Sequence, residues 1–96
     1  MSAYVIALIN VTDQEGYAPY RDMATASIAQ YGGKYLARGG SSEVLEGETD
    51  ANRFVIVQFD TYEQAKTWFD SPEYEAAKPH RRKNSTSTLM LVEGLS

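Results

Sequence analysis

The sequence predicts one α+β domain, with a four-stranded antiparallel sheet and two helices on one face of it. The order of patterns along the 96 residues is strand, helix, strand, strand, helix, strand. The first and third strands are apolar on both faces, as expected for central strands covered on both sides. No internal repeat or long linker divides the chain, so we expect residues 1–96 to form a single domain.

The first strand extends from Ala3 to Val11. Successive side chains of a strand point to opposite faces. Both alternating sets are apolar here, with Val5, Ala7 and Ile9 on one face and Tyr4, Ile6 and Leu8 on the other. The pattern therefore predicts a strand that is covered on both faces.

The first helix has an ambiguous start. Thr12 and Glu15 have the spacing of a capping box, but in a helix beginning at Thr12 the ring of Pro19 would collide with the carbonyl of Glu15. We therefore expect a short turn over 12–15 and a regular helix with Pro19 in its first turn. Gly32-Gly33 is expected to end it. Apolar residues follow at helical spacing: Tyr17, Tyr20, Ala24, Ile28 and Tyr31.

The second strand is predicted over Lys34–Arg38, followed by a bend or bulge at Gly39-Gly40. A continuation of this strand over 43–46 is left open. A turn cluster over 47–52 then closes a hairpin onto the third strand, Arg53–Phe59. This strand is apolar on both faces: Val55, Val57 and Phe59 on one, Phe54 and Ile56 on the other.

Capping signals also mark the second helical segment. Thr61–Gln64 forms a capping box, and the helix that it opens has Ala65, Trp68 and Phe69 inward. Ser71-Pro72 restarts a helix, since Ser is a good N-cap and Pro is tolerated at the next position. Pro79 is predicted to lie in the last turn of this helix or to end it. The final strand is Ser85–Glu93.

This order of elements is that of the ferredoxin-like βαββαβ plan, in which the first and third strands lie at the centre of the sheet. The helices cover one sheet face. The other would present Tyr4, Ile6, Leu8, Phe54 and Ile56, an apolar patch of the kind that marks an interaction surface. We predict a sheet-to-sheet homodimer through this face. The alternative is a monomer with an unusually apolar surface.

Several fragments, in order, resemble a known family: Tyr4-Val5-Ile6, Gly16-Tyr17 with Tyr20-Arg21, Tyr31–Leu36, Arg38-Gly39-Gly40, Val44–Gly47, Ser71–Tyr74 and Leu91–Gly94. The chain resembles the domain of unknown function 1330 family, within the dimeric α/β-barrel superfamily. The resemblance implies a ferredoxin-like protomer whose sheets pair in a dimer. The superfamily includes cofactor-free monooxygenases, isomerases and haem enzymes, but no catalytic role carries over, because the family itself is uncharacterised.

Composition excludes several functions. The net charge of −4 disfavours nucleic-acid binding, including through the basic stretch 80–83. The apolar run of the first strand has no basic leader and is too short to span a bilayer, so we expect a cytoplasmic protein without membrane contact. With one histidine and no cysteine, the chain supplies too few ligands for a zinc or non-haem iron site. We therefore expect no metal and no cofactor. By superfamily analogy alone, the alternative is a haem with His80 as its axial ligand.

Two residues are candidates for chemistry. His80 is the one side chain with an unperturbed titration near neutrality. It is either a general acid or base beside a cleft, or a cation that complements a helix C-terminus. Arg38, beside Gly39-Gly40, either binds a carboxylate or enolate at the mouth of a cavity, or is an edge-strand charge that discourages aggregation.

Aromatic residues complete the candidate ligand-binding set, since Tyr17, Tyr20 and Tyr31 share one helix face and Trp68 lies on the second helix. Core packing is the alternative for each of them. Two functions compete. One is a protein that binds a small apolar or organic-acid molecule in a cleft between helices and sheet, with or without a cofactor-independent reaction. The other is a non-catalytic module for dimerisation or protein interaction.

Overall fold

The computed structural model describes residues 1–95. Four strands form one antiparallel sheet in the order β2-β3-β1-β4, which is the ferredoxin-like arrangement and confirms the predicted fold class. The second helical segment consists of two helices, α2 and α3. The elements in chain order are β1 (Ala3–Val11), α1 (Gln14–Gln30), β2 (Lys34–Arg38), β3 (Arg53–Phe59), α2 (Tyr62–Phe69), α3 (Pro72–Asn84) and β4 (Ser85–Glu93).

The sheet has one covered and one open face. Odd-numbered residues of β1 are buried under the helices, whereas the even-numbered ones are only partly buried. Ile6 lies at the centre of the open face, paired with Ile56 on β3 and with Met90 on β4. Met90 is 58% exposed and Val92 46%. We call this surface the open face: Tyr4, Ile6, Leu8, Phe54, Ile56, Met90 and Val92.

Helix α1 begins earlier than predicted. Its N-cap is Asp13, whose Oδ1 accepts a hydrogen bond from the backbone N–H of Gly16 at 3.1 Å. Pro19 lies in the second turn, so the predicted start was wrong. Proline removes one backbone donor there, and the carbonyl that loses it belongs to the exposed Glu15, where water can replace the bond. Burial of Tyr17 holds this first turn against the core.

The end of α1 follows the prediction. The backbone N–H of Gly33 donates to the carbonyl of Ile28 at 2.8 Å, and that of Gly32 donates to the carbonyl of Ala29 at 3.2 Å. This pair of bonds is a Schellman motif, which places Gly32 at φ +78°, in the left-handed region.

Both predicted caps of the second helical segment are confirmed. The Thr61 hydroxyl accepts from the backbone N–H of Gln64 at 3.0 Å. The Ser71 hydroxyl accepts from the N–H of Tyr74 at 3.1 Å and donates to the carbonyl of Trp68 at 2.7 Å, which joins the end of α2 to the start of α3.

Helix α3 continues through Pro79 to Asn84, so the prediction that Pro79 lies in its last turn or ends it was wrong. The ring again removes a single donor, opposite the exposed Glu75, and the turn beyond it is held by other contacts. The Asn84 Nδ2 donates to the carbonyl of His80 at 2.8 Å, and the Ser85 hydroxyl donates to that of Arg81 at 2.5 Å.

The β2–β3 connection contains no further strand. Residues 39–52 are almost entirely exposed, so no second row of apolar contacts is available to hold 43–46 against the sheet. The chain bends at Gly39, as predicted, with a φ of +67°. A separate register irregularity lies within β2, between Tyr35 and Ala37. No helix described between residues 1 and 95 is both long and apolar enough to cross a membrane.

Candidate functional site

A cavity of about 750 Å³ lies between α1 and the covered face of the sheet, and we call it the α1 cavity. Helix α1 forms its roof, β1 and β3 form its floor, and β2 lies along one side. Its volume is in the range of sites that bind small organic molecules. Its inner wall is apolar: Val5, Ala7, Ile9, Val57, Trp68 and Leu89.

Charged residues of the α1 cavity are mostly positive. Arg21, Arg38 and Arg53 line it together with one carboxylate, Asp22. Over the part of the chain that the structure describes, the ion pair present joins Lys78 to Glu75, which lie outside the cavity. A chain with a net charge of −4 thus places an excess of positive charge at this site. Such a site attracts anions.

Arg38 is braced by two neighbours. Its guanidinium carbon lies 4.6 Å from the centre of the Tyr35 ring, a cation–π distance. Its Nη1 donates to the Thr25 hydroxyl at 3.4 Å, and that hydroxyl is also hydrogen-bonded to the Tyr35 hydroxyl at 3.1 Å. Only one of the five guanidinium N–H donors is used in these contacts, so the others are free to bind a ligand.

Arg53 is a site residue that sequence reasoning missed. It is the first residue of β3 and shares the covered face with Val55, which pairs with Arg38. A side chain at position 39 would meet it, because a Cβ on Gly39 would lie 2.6 Å from Nη1 of Arg53. Gly39 also has a φ of +67°, which favours glycine. Strand alternation could have identified it, because Arg53, Val55 and Val57 are alternate residues of one strand and therefore point to the same face of the sheet.

Tyr17 and Tyr20 line the α1 cavity from the roof. The Tyr20 hydroxyl is hydrogen-bonded to that of Tyr74 at 2.6 Å. Burial raises the pKa of Tyr20, and proximity to Tyr74 raises it further. Burial also raises the pKa of Tyr17, with Arg53 acting in the opposite direction. Both side chains are therefore neutral phenols near neutral pH, suited to hydrogen bonding rather than to proton abstraction.

Trp68 contributes to the same cavity, although it is only 2% exposed. Its Nε1 donates to the hydroxyl of Ser27 at 3.0 Å, which fixes the ring between α1 and the sheet. The indole therefore serves both as core packing and as cavity wall.

The other two candidates lie outside the α1 cavity. The Tyr31 hydroxyl donates to Oε1 of Glu73 at 2.7 Å, which joins α1 to α3. His80 is half-buried on α3 and is not part of the cavity lining. The structure thus brings together Tyr17, Tyr20, Arg38 and Trp68, and it does not bring Tyr31 or His80 to them.

The chemistry available in the α1 cavity is that of guanidinium and phenol donors beside an apolar wall. Within residues 1–95, no cluster of three or more His, Asp or Glu side chains is arranged to hold a metal ion. The lining residues can bind and orient an anion through charge-assisted hydrogen bonds.

Solved structures share this fold. A protein of unknown function from Rhodopseudomonas palustris is 19% identical with a TM-score of 0.76, over 99% of this chain and 83% of that one. SnoaB, a cofactor-independent oxygenase from Streptomyces nogalater, is 13% identical with a TM-score of 0.67, over 99% and 94%. A dimeric protein of unknown function and ferredoxin-like fold from Bacteroides fragilis is 17% identical with a TM-score of 0.59, over 97% and 96%. At these identities the likeness shows the fold alone.

Comparison with curated proteins returned no match. The family described as Domain of unknown function (DUF1330) matches residues 2–95, nearly the whole chain. The chain therefore belongs to the DUF1330 family, as the ordered fragments of its sequence predicted.

Proposed function

We propose that the protein is a homodimer that binds a small apolar or organic-acid molecule in the α1 cavity. The observation that carries this proposal is the combination of an apolar inner wall with a net positive lining in an acidic chain. Sites for small ligands are typically apolar concavities with a few placed polar groups. The cofactor-independent oxygenase from Streptomyces nogalater has the same fold, which supports an organic ligand.

The dimer is proposed on the open face. Seven large apolar residues form one surface across β3, β1 and β4, opposite the helices. Soluble monomers rarely leave such a patch uncovered, and a second copy of the same face would cover it in an isologous contact. The relative from Bacteroides fragilis is described as dimeric, which supports the same assembly here.

Isotope-labelled protein titrated with a panel of small aromatic and aliphatic acids, and with their neutral amides, tests the ligand proposal. We expect saturable NMR shifts at Tyr17 and Arg38 and at the indole N–H of Trp68, the chain's single tryptophan. Shifts confined to the open face, or no saturable shift across the panel, would contradict the proposal.

A further inference from the structure

We infer that Arg38 and Arg53 form one anion-binding pair, and that the ligand of the α1 cavity is an organic acid with a single negative charge and an apolar body. The inference rests on the proposed function and names the class of ligand for the same site. Its carboxylate or enolate would lie between the two guanidinium groups, with the rest of the molecule against the inner wall.

The two arginines are neighbours on one face of the sheet. Arg38 on β2 pairs with Val55, and Arg53 lies two residues before Val55 on β3. Residues in this diagonal relation have Cα atoms about 7–8 Å apart, which long side chains span easily. Both side chains therefore lie on the covered face and line the α1 cavity.

No carboxylate neutralises this pair. Among the described residues, neither Arg38 nor Arg53 has an acidic side chain within ion-pairing distance. Like charges held close together destabilise the fold unless an opposite charge joins them. An anion between the two guanidinium groups would remove that repulsion and accept hydrogen bonds from both.

Local structure keeps both side chains available. Tyr35 and Thr25 position the Arg38 guanidinium from one side. Gly39 leaves the space that Arg53 occupies, since a Cβ there would lie 2.6 Å from Nη1. These contacts position the two side chains without neutralising their charges. The site is therefore preorganised for an anion.

The inner wall disfavours a second charge at the far end of the ligand. Arg21 also lines the cavity, but the wall itself includes Val5, Val57 and Trp68, which offer no partner for a carboxylate. Burying an unpaired charge there would be strongly unfavourable. A planar or aromatic body would instead replace water along this wall. Inorganic phosphate would satisfy the arginines but leave the wall unfilled.

Four probes test the inference by NMR titration and isothermal calorimetry: 2-naphthoate, its neutral amide 2-naphthamide, naphthalene-2,6-dicarboxylate and inorganic phosphate. We expect 2-naphthoate to bind at least tenfold more tightly than each of the other three. Arg38→Ala and Arg53→Ala should each weaken 2-naphthoate at least tenfold and leave 2-naphthamide unchanged. Arg82→Ala, on the exposed side of α3, is the matched control and should change neither.

The outcomes separate the inference from the proposed function. Equal affinity for 2-naphthoate and 2-naphthamide would overturn the anion-binding pair while leaving a small-molecule site. Phosphate or the dicarboxylate binding as tightly as 2-naphthoate would overturn the assignment of a singly charged ligand with an apolar body. Failure of all four probes to bind would overturn both. Thermal melting of each variant shows whether a loss of binding reflects unfolding.

Discussion

The hydroxyl oxygens of Tyr20 and Tyr74 lie 2.6 Å apart, in the buried seam where α1 packs against α3. Tyr74→Phe removes one hydroxyl and leaves the other buried without this partner, which should cost about 1–3 kcal/mol of unfolding free energy. Urea denaturation, monitored by circular dichroism, measures the change in unfolding free energy.

The double variant Tyr20→Phe/Tyr74→Phe is the matching test. Removing both hydroxyls leaves no orphaned group, so its loss of stability should be smaller than the sum of the two single losses. Strict additivity would show that the two hydroxyls do not depend on each other.

The two helix caps should differ in importance. Ser71→Ala removes the hydrogen bonds to the N–H of Tyr74 and to the carbonyl of Trp68, within a buried junction. Thr61→Ala removes one exposed cap and is the control. We expect a loss of about 1 kcal/mol for Thr61→Ala and more for Ser71→Ala, by chemical denaturation. Equal losses would show that the Ser71 junction is no more than an ordinary cap.

The contact between Tyr31 and Glu73 predicts a pH dependence. The hydrogen bond from the Tyr31 hydroxyl lowers the pKa of Glu73 below its usual value. A carboxyl whose pKa is lower in the folded state stabilises the protein above its unfolded pKa, and this stabilisation disappears as pH falls through the folded pKa. Tyr31→Phe should therefore lower the melting temperature at pH 7 but have little effect at pH 2. A difference that persists unchanged at pH 2 would contradict this linkage.

A charged residue introduced on the open face should dissociate the proposed dimer into monomers. Ile6→Lys places an ammonium group between Ile56 and Met90, at the centre of the patch. In an isologous contact each partner would bring the same charge to the interface. Sedimentation velocity should give dimer for the native chain and monomer for Ile6→Lys. Ala29→Lys, exposed on α1, should remain dimeric. A native chain that sediments as a monomer would refute the assembly.

Local chemistry explains which elements could be predicted from the sequence. The two apolar faces of β1 and β3, the caps at Thr61 and Ser71 and the Gly32-Gly33 stop depend on short-range patterns, and all are present. Pro19 and Pro79 misled the prediction because tertiary contacts hold the helices across both prolines. A proline inside a helix removes only one hydrogen bond when the opposing carbonyl is exposed.

The site was less predictable than the fold. Helical spacing placed Tyr17, Tyr20 and Tyr31 on one face. Tyr31, however, is the C-cap of α1, about three turns beyond Tyr20, and it contacts Glu73 instead of the cavity. The position of His80 depends on how far α3 extends, which Pro79 obscured. Arg53 could have been assigned to the covered face by strand parity.

Alanines shape the α1 cavity: Ala7 lines its floor, and Ala18 and Ala24 line its roof. Larger apolar side chains at these positions would fill space that now contributes no dispersion contacts. A chain of 96 residues can bury only a small hydrophobic core. Leaving this volume unfilled therefore lowers the stability of the folded protein. A bound ligand would supply the missing van der Waals contacts. By mass action it would also shift the folding equilibrium toward the native state. The ligand would then act as a removable part of the hydrophobic core.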